Sequence, residues 1–423
     1  MRNVQTKAIL WLTLSVAVLA CTSAVLICTR PNVPDTPTLS GRPPELSIAP
    51  LDVALTFAFR LQPKPNALVL VTGIDEEGIE AVPLKPFLPD QAETIPNALT
   101  LLGSETLARI ALDREIERIS IEFGALGPVA SGSAHIAFGT NFSDHGEEVA
   151  NERPFAFPKF SEPSKPIDTL PIDAEEVLLD YEVELCMRFD RDIRTLQDFD
   201  AAQKIVFLCG DFTDRARLLR GIPDDEEHLS GIGFSEPKSG AGMMPTGFFA
   251  VVPHDWRTFL AGETVSTRRG KSLMQLASGA DMIMDFRQMV SFVLGAGDNA
   301  RWRFDGESVP LSDRGIIRRG QVLLSGTAGG VLFRPPTTRD IACGAAAYVC
   351  LGQFLVDSTP RRYVIEEAIA RDFALRRFLR PGERVRHDSR YLGRIDVHIV
   401  AKSQTPTGPF GFLRNPRAKQ TLR

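Results

Sequence analysis

Asp180-Tyr181-Glu182-Val183-Glu184-Leu185 sets carboxylates and apolar residues in alternation. On a strand, alternate residues face the same way, so Glu182 and Glu184 share one side while Val183 and Leu185 face a core. Two acids on one face repel each other unless a cation lies between them, and an oxygen-only pair suits Mg²⁺, Mn²⁺ or Ca²⁺. The same alternation also describes a solvated strand face, and the pair alone leaves both readings open. Asp211 follows the apolar run 205–209 and supplies a third carboxylate. Lys238 then sits in the loop Pro237-Lys238-Ser239-Gly240-Ala241-Gly242, whose backbone can approach a ligand closely.

Upstream, Glu148 stands three residues after His145. On a helix the two stack on one face, where the carboxylate can orient the imidazole as a general base for water. A surface histidine in a polar segment is the competing reading. Short apolar runs bounded by Gly or Pro predict strands over 177–189, 204–209, 247–253 and 321–325, and helical periodicity covers 282–294 and 363–379. Strands dominate without regular alternation with helices. A parallel βαβ fold is therefore disfavoured, and an α+β, mainly β architecture is expected.

The 423 residues are 43% hydrophobic and 24% charged, enough apolar content for one or two globular domains. A net charge of −5 with no long basic run argues against a nucleic-acid partner. Arg2 and Lys7 precede an uncharged apolar run over 8–28, long enough at about 1.5 Å per residue to cross a bilayer. An uncleaved anchor, a cleaved signal and a lipid anchor at Cys21 all fit this run. Residues 29–50 carry six prolines and read as an extended tether. Residues 51–131 read as a small β-rich region, and 132–423 hold the candidate chemistry. Positive charge at the extreme N-terminus favours placing this domain outside the cytoplasm, anchored or secreted to a periplasm, with a cytoplasmic-facing domain as the alternative. Cys343 and Cys350 read as buried thiols, or as a pair in an oxidising compartment.

The order of these elements resembles the fumarylacetoacetate hydrolase family. Its N-Y-x-x-H-x-x-E segment matches Asn141-Phe142-Ser143-Asp144-His145-Gly146-Glu147-Glu148, and its D-x-E-x-E-L strand matches the opening hexapeptide. Gly210-Asp211-Phe212-Thr213-Asp214-Arg215 stands for N-D-V-S-x-R. Lys238, Pro245 and Gly247 match the lysine loop, and Ser325-Gly326-Thr327-Ala328-Gly329-Gly330-Val331 matches T-G-T-P-x-G-V. A closing motif appears as Leu379-Arg380-Pro381-Gly382-Glu383-Arg384-Val385.

The resemblance implies a mixed β-sandwich roll of the family's C-terminal domain type. It also implies a homodimer with one divalent ion per subunit, Mg²⁺ or else Mn²⁺ or Ca²⁺. Glu182, Glu184 and Asp211 would be its ligands, His145 and Glu148 the water-activating dyad, and Lys238 the stabiliser of oxyanion charge. Arg215 and Thr327 would face the substrate, a small 2-oxo or 1,3-dicarbonyl carboxylic acid whose C–C bond is hydrolysed. Decarboxylation, hydration or isomerisation uses the same logic, and a non-catalytic, membrane-tethered binding protein retaining the fold is the reading from another class. Leu218, Ala241 and Ala328 depart from the family pattern, and an insertion spans about 337–377. Its apolar stretch 341–356 reads as a packed core or dimer element ahead of membrane contact, and the basic run 363–380 reads as a solvated helix face.

Overall fold

The computed structural model describes residues 38–61, 67–90, 92–222, 231–355 and 359–402. Valine, isoleucine, leucine and phenylalanine crowd the strands, as a pleated, buried surface requires. Ten strands form one sheet in the spatial order Ile119–Glu122, Gly78–Pro83, Ala67–Ile74, Ala54–Arg60, Ala250–Pro253, Lys204–Gly210, Val183–Phe189, Leu323–Thr327, His135–Gly139 and Phe155–Lys159. A second sheet of five strands runs Ser272–Ser278, Thr264–Arg269, Arg384–Ser389, Arg394–Ala401 and Ile167–Ile172. Each sheet contains one parallel pairing, Leu323–Thr327 with His135–Gly139 and Arg394–Ala401 with Ile167–Ile172. Both sheets feed a single hydrophobic core that joins Leu185, Phe207 and Leu324 to Val265, Val385 and Ile395. This is the α+β, mainly β architecture that the strand pattern implies, with the mixed sheets that the family resemblance implies.

The strands of the 51–131 region do not form a sheet of their own. Ala54–Arg60 pairs with Ala250–Pro253, which carries the large sheet through from this region to the central strands. Two helices the sequence reading lacked, Ile95–Leu102 and Ser104–Leu112, accompany these strands.

Register places the chemistry. Cys209 lies opposite Glu184 and Gly210 opposite Val183, so Asp211 emerges beside the start of the acidic strand. On the other side Thr327 lies opposite Glu184, after a register shift that follows Leu324. The strand itself begins at Val183, shorter than the 177–189 reading, because Leu179–Asp180 pairs separately with Thr213–Asp214.

Cys186 and Cys209, both fully buried on these adjacent strands, form a disulfide. Cys343 and Cys350 are half-buried and disulfide-bonded, which corrects the reading of both as buried thiols. They share the helix Thr338–Cys350, whose rise of about 10 Å between them is too long for the two to join each other.

The insertion folds as that helix and Pro360–Leu375, packed so closely that a Cβ on Gly344 would lie 2.7 Å from Val364. Gly344 is the one buried residue of Thr338–Cys350, while Ile341, Val349, Leu351, Phe354 and Leu355 are exposed, so this stretch is not core of the described chain. Among the described residues no helix is long and apolar enough to cross a membrane. The apolar run 8–28 and residues 29–37 of the proline-rich segment lie outside the described residues. From Leu39 onward that segment is extended but held, with Leu39 N–H donating to the Leu273 carbonyl at 2.9 Å and Ser47 N–H to Arg390 at 2.8 Å.

Candidate active site

Glu182 and Asp211 flank the ends of two paired strands, and Asp211 N–H donates to the Glu182 carbonyl at 2.9 Å. With Glu184 they form a cluster in which one carboxylate oxygen from each lies within 4.8 Å of the others. Their exposures of 4%, 1% and 0% exclude the solvated-face reading.

Three buried cations answer them. Lys238 Nζ bridges Glu182 Oε2 at 2.7 Å and Asp211 Oδ2 at 2.8 Å. Lys159 Nζ donates to Asp211 Oδ1 at 2.7 Å, to the Lys238 carbonyl and to the Met243 carbonyl at 3.3 Å. Arg215 donates from Nε to Asp180 Oδ2 at 2.9 Å and from Nη2 to Glu182 Oε1 at 2.6 Å, with Phe333 against its guanidinium plane. Burial pushes Glu182 up, but the Lys238 and Arg215 charges outweigh it and hold the carboxyl below its usual range. Burial, Asp211 and Glu182 together push Glu184 well above that range. Burial also lowers Lys159, with Asp211 only partly offsetting it, whereas Asp211 and Glu182 more than reverse burial at Lys238.

This donor set fits a divalent ion. Glu184 Oε2 accepts the Gly326 N–H at 2.9 Å, but its Oε1 is buried with no hydrogen-bond partner. Among the described residues Lys159, Lys238 and Arg215 pair with Asp180, Glu182 and Asp211, whereas Glu184 has no ion pair and is crowded by the other two acids of the cluster, the repulsion a divalent ion would relieve. Three buried carboxylates with an unsatisfied oxygen could hold a hard divalent cation, and nothing in the set distinguishes Mg²⁺ from Mn²⁺ or Ca²⁺.

His145 and Glu148 lie on the short helix Ser143–Glu148, with Nδ1 and Oε2 3.2 Å apart. His145 is only 6% exposed, unlike a surface histidine. Asn141 fixes the approach to this helix: its amide donates to the Met284 and Ser325 carbonyls and its Oδ1 accepts the Met284 N–H. The glycine turn closes from the other side, with Gly329 N–H donating to Asp144 and Gly330 N–H to Glu148. Arg334 adds an ion pair to Glu148 Oε1 at 2.6 Å.

Two residues expected to face substrate are engaged within the protein. The Thr327 hydroxyl donates to the Val183 carbonyl at 2.9 Å and accepts from Gln275 at 2.8 Å. Arg215 is committed to Asp180 and Glu182. Lys159, Arg334 and Gln275 were missed by the sequence reading. Lys159 ends the apolar strand Phe155–Lys159, where a terminal lysine reads as solvent-facing, and only tertiary pairing reveals it as buried.

Residues 134–400 match the family model described as fumarylacetoacetate (FAA) hydrolase C-terminal. No curated protein matches the sequence. Among solved structures, the chain is similar to a putative HpcE protein from Mycobacterium smegmatis, at 17% identity and a TM-score of 0.51, over 83% of this chain and 100% of that one. It is also similar to a fumarylacetoacetate hydrolase from Exiguobacterium antarcticum, at 17% identity and a TM-score of 0.49, over 83% and 100% of the respective chains. With the family model covering more than half of its length, the chain belongs to the fumarylacetoacetate hydrolase family.

Proposed function

We propose that this protein is a divalent-metal-dependent hydrolase that cleaves a C–C bond in a 1,3-dicarbonyl acid of the acylpyruvate or fumarylacetoacetate type. The observation that carries the reading is the buried Glu182, Glu184 and Asp211 cluster with its unsatisfied Glu184 oxygen. An ion held by these three would chelate the 2-oxo acid end of the substrate and offset the charge of the enolate that leaves. Glu148 holds Nδ1 of His145, so Nε2 is the ring nitrogen left to take a proton from water. The hydroxide so formed adds to the distal carbonyl carbon, and the bond between that carbon and its neighbour breaks with its electron pair leaving on the 2-oxo acid fragment. The proton on His145 can return to that fragment, giving a carboxylic acid together with a 2-oxo acid from an acylpyruvate or acetoacetate from fumarylacetoacetate. Lys238, shared between Glu182 and Asp211, keeps positive charge beside the developing oxyanion. Arg215 and Thr327 hold ligand residues and the adjoining strand in place, with substrate contact requiring their present partners to yield.

Purified protein should turn over an acylpyruvate with added Mg²⁺ or Mn²⁺ and lose that activity to a chelator. Glu182→Ala should lose metal binding, while His145→Ala should keep it and lose about 10²–10⁴-fold in kcat. Absence of metal-dependent turnover on any acylpyruvate or diketo acid would overturn the reading. Release of CO₂, or a product of unchanged mass, would instead assign decarboxylation or isomerisation. We further propose a homodimer, which sedimentation of the purified chain would show as twice the mass of 46.5 kDa.

A further inference from the structure

A cavity of about 460 Å³ opens between the 51–131 region and the strands beyond it. Phe59, Ile95, Pro128 and Val129 form its apolar wall, and Arg188 enters it from the strand that carries Glu184. The Arg188 guanidinium makes no hydrogen bond or ion pair among the described residues, and its Nε is fully shielded from solvent. Arg188 as a whole is half-buried, so the shielded part of its guanidinium is without a partner while the rest opens toward the cavity, where an anion could reach it. Burial and the charge of Arg319 push Arg188 down to about 10, so a second cation makes the need greater.

We infer that this cavity is a ligand site, separate from the carboxylate cluster, for a small monocarboxylate with an apolar body. A guanidinium fork matches a carboxylate in two parallel hydrogen bonds, and the volume falls within the range of small-molecule sites. Glu93 and Glu162 also line the cavity, the first half-buried and the second exposed. Their charges disfavour phosphate and dicarboxylates, which restricts the ligand to a single negative charge. Phe59 and Pro128, both half-buried, offer the surface on which an aromatic or branched body would lie. The assignment is independent of the reaction proposed above.

Benzoate is the probe, with titration calorimetry on the full chain as the measurement. Saturable binding by the wild-type chain is expected, with loss of at least about tenfold in affinity in Arg188→Met. Ser131→Trp, which leaves the charge in place and fills the cavity from an exposed position, should lose binding equally and covers the case in which Arg188→Met does not fold. Glu182→Ala should bind benzoate within about twofold of wild type, and phosphate should not compete. The inference is overturned if wild type shows no saturable binding at about 10 mM, if Ser131→Trp binds as wild type does, or if Glu182→Ala abolishes binding, which would place benzoate at the carboxylate cluster.

Discussion

Gly330 adopts φ 104°, and a Cβ there would fall 1.9 Å from the Met274 carbonyl oxygen. Its N–H is also one of the donors that hold Glu148. Gly330→Ala is therefore expected to cost more than about 2 kcal/mol and to lower kcat by displacing Glu148, measured by urea unfolding and by turnover. His135 makes a different kind of prediction. Its Nε2–H donates to the Gly132 carbonyl at 3.1 Å and its Nδ1 accepts the Val322 N–H at 3.2 Å, a neutral tautomer. Burial pushes its pKa down to about 4. The unfolded chain takes up this proton near pH 6.5, so the contribution to stability is fully present above about pH 6.5 and is lost as pH falls toward about 4. The slope approaches about 1.4 kcal/mol per pH unit. His135→Gln should flatten that part of the acid limb in urea titrations, leaving the share of His387, which burial lowers to about 3. At this scale the acids were legible because alternation alone decides which residues share a face. Of the three cations Lys238 was singled out and Arg215 came with the family resemblance, but Lys159 was not legible, because a lysine at a strand end carries no local mark of burial.

Elements follow the same division. The strands around Glu184 and Asp211 were readable from apolar runs bounded by turn residues, although their ends shifted by a few residues where isolated bridges, such as Leu179 with Leu379, compete with the ladder. Disulfide pairing was not readable, since Cys186 and Cys209 are 23 residues apart and meet only through antiparallel register. Closing a loop of that length should stabilise the chain by about 3 kcal/mol on the chain-entropy account. Cys186→Ala with Cys209→Ala should lose about that amount in denaturant, while a calorimetric titration with Mg²⁺ still finds the site. The insertion shows the limit of apolar content as a guide: residues 341–356 read as a packed core or a dimer element, and the exposure of Ile341, Val349, Leu351, Phe354 and Leu355 rules out the core of the described chain, leaving the dimer element as a proposal.

Across the whole molecule, the bridge between Cys186 and Cys209 bears on where the domain works, because such bonds persist in oxidising compartments. We propose that the domain lies outside the cytoplasm. A periplasm-only reporter fused after Val385 should be active, and a silent one beside an active cytoplasmic reporter would sink the proposal. The architecture was legible as mainly β from strand spacing, but the continuity of one sheet from Ile119–Glu122 to Phe155–Lys159 was not, because it rests on pairings between residues some two hundred positions apart.

The place of Leu323–Thr327 in that sheet has a consequence for synthesis. It lies between Val183–Phe189 and His135–Gly139, and its sequence emerges from the ribosome after both. Until it arrives, two apolar strands of the growing chain each show an open row of backbone donors and acceptors, the template for edge-to-edge association. A nascent chain halted at residue 322 would already contain all three carboxylates of the cluster, yet lack the strand that joins the two halves of its sheet. Such a truncated product should depend on chaperones or aggregate, whereas one extended past Thr327 has those two edges sealed.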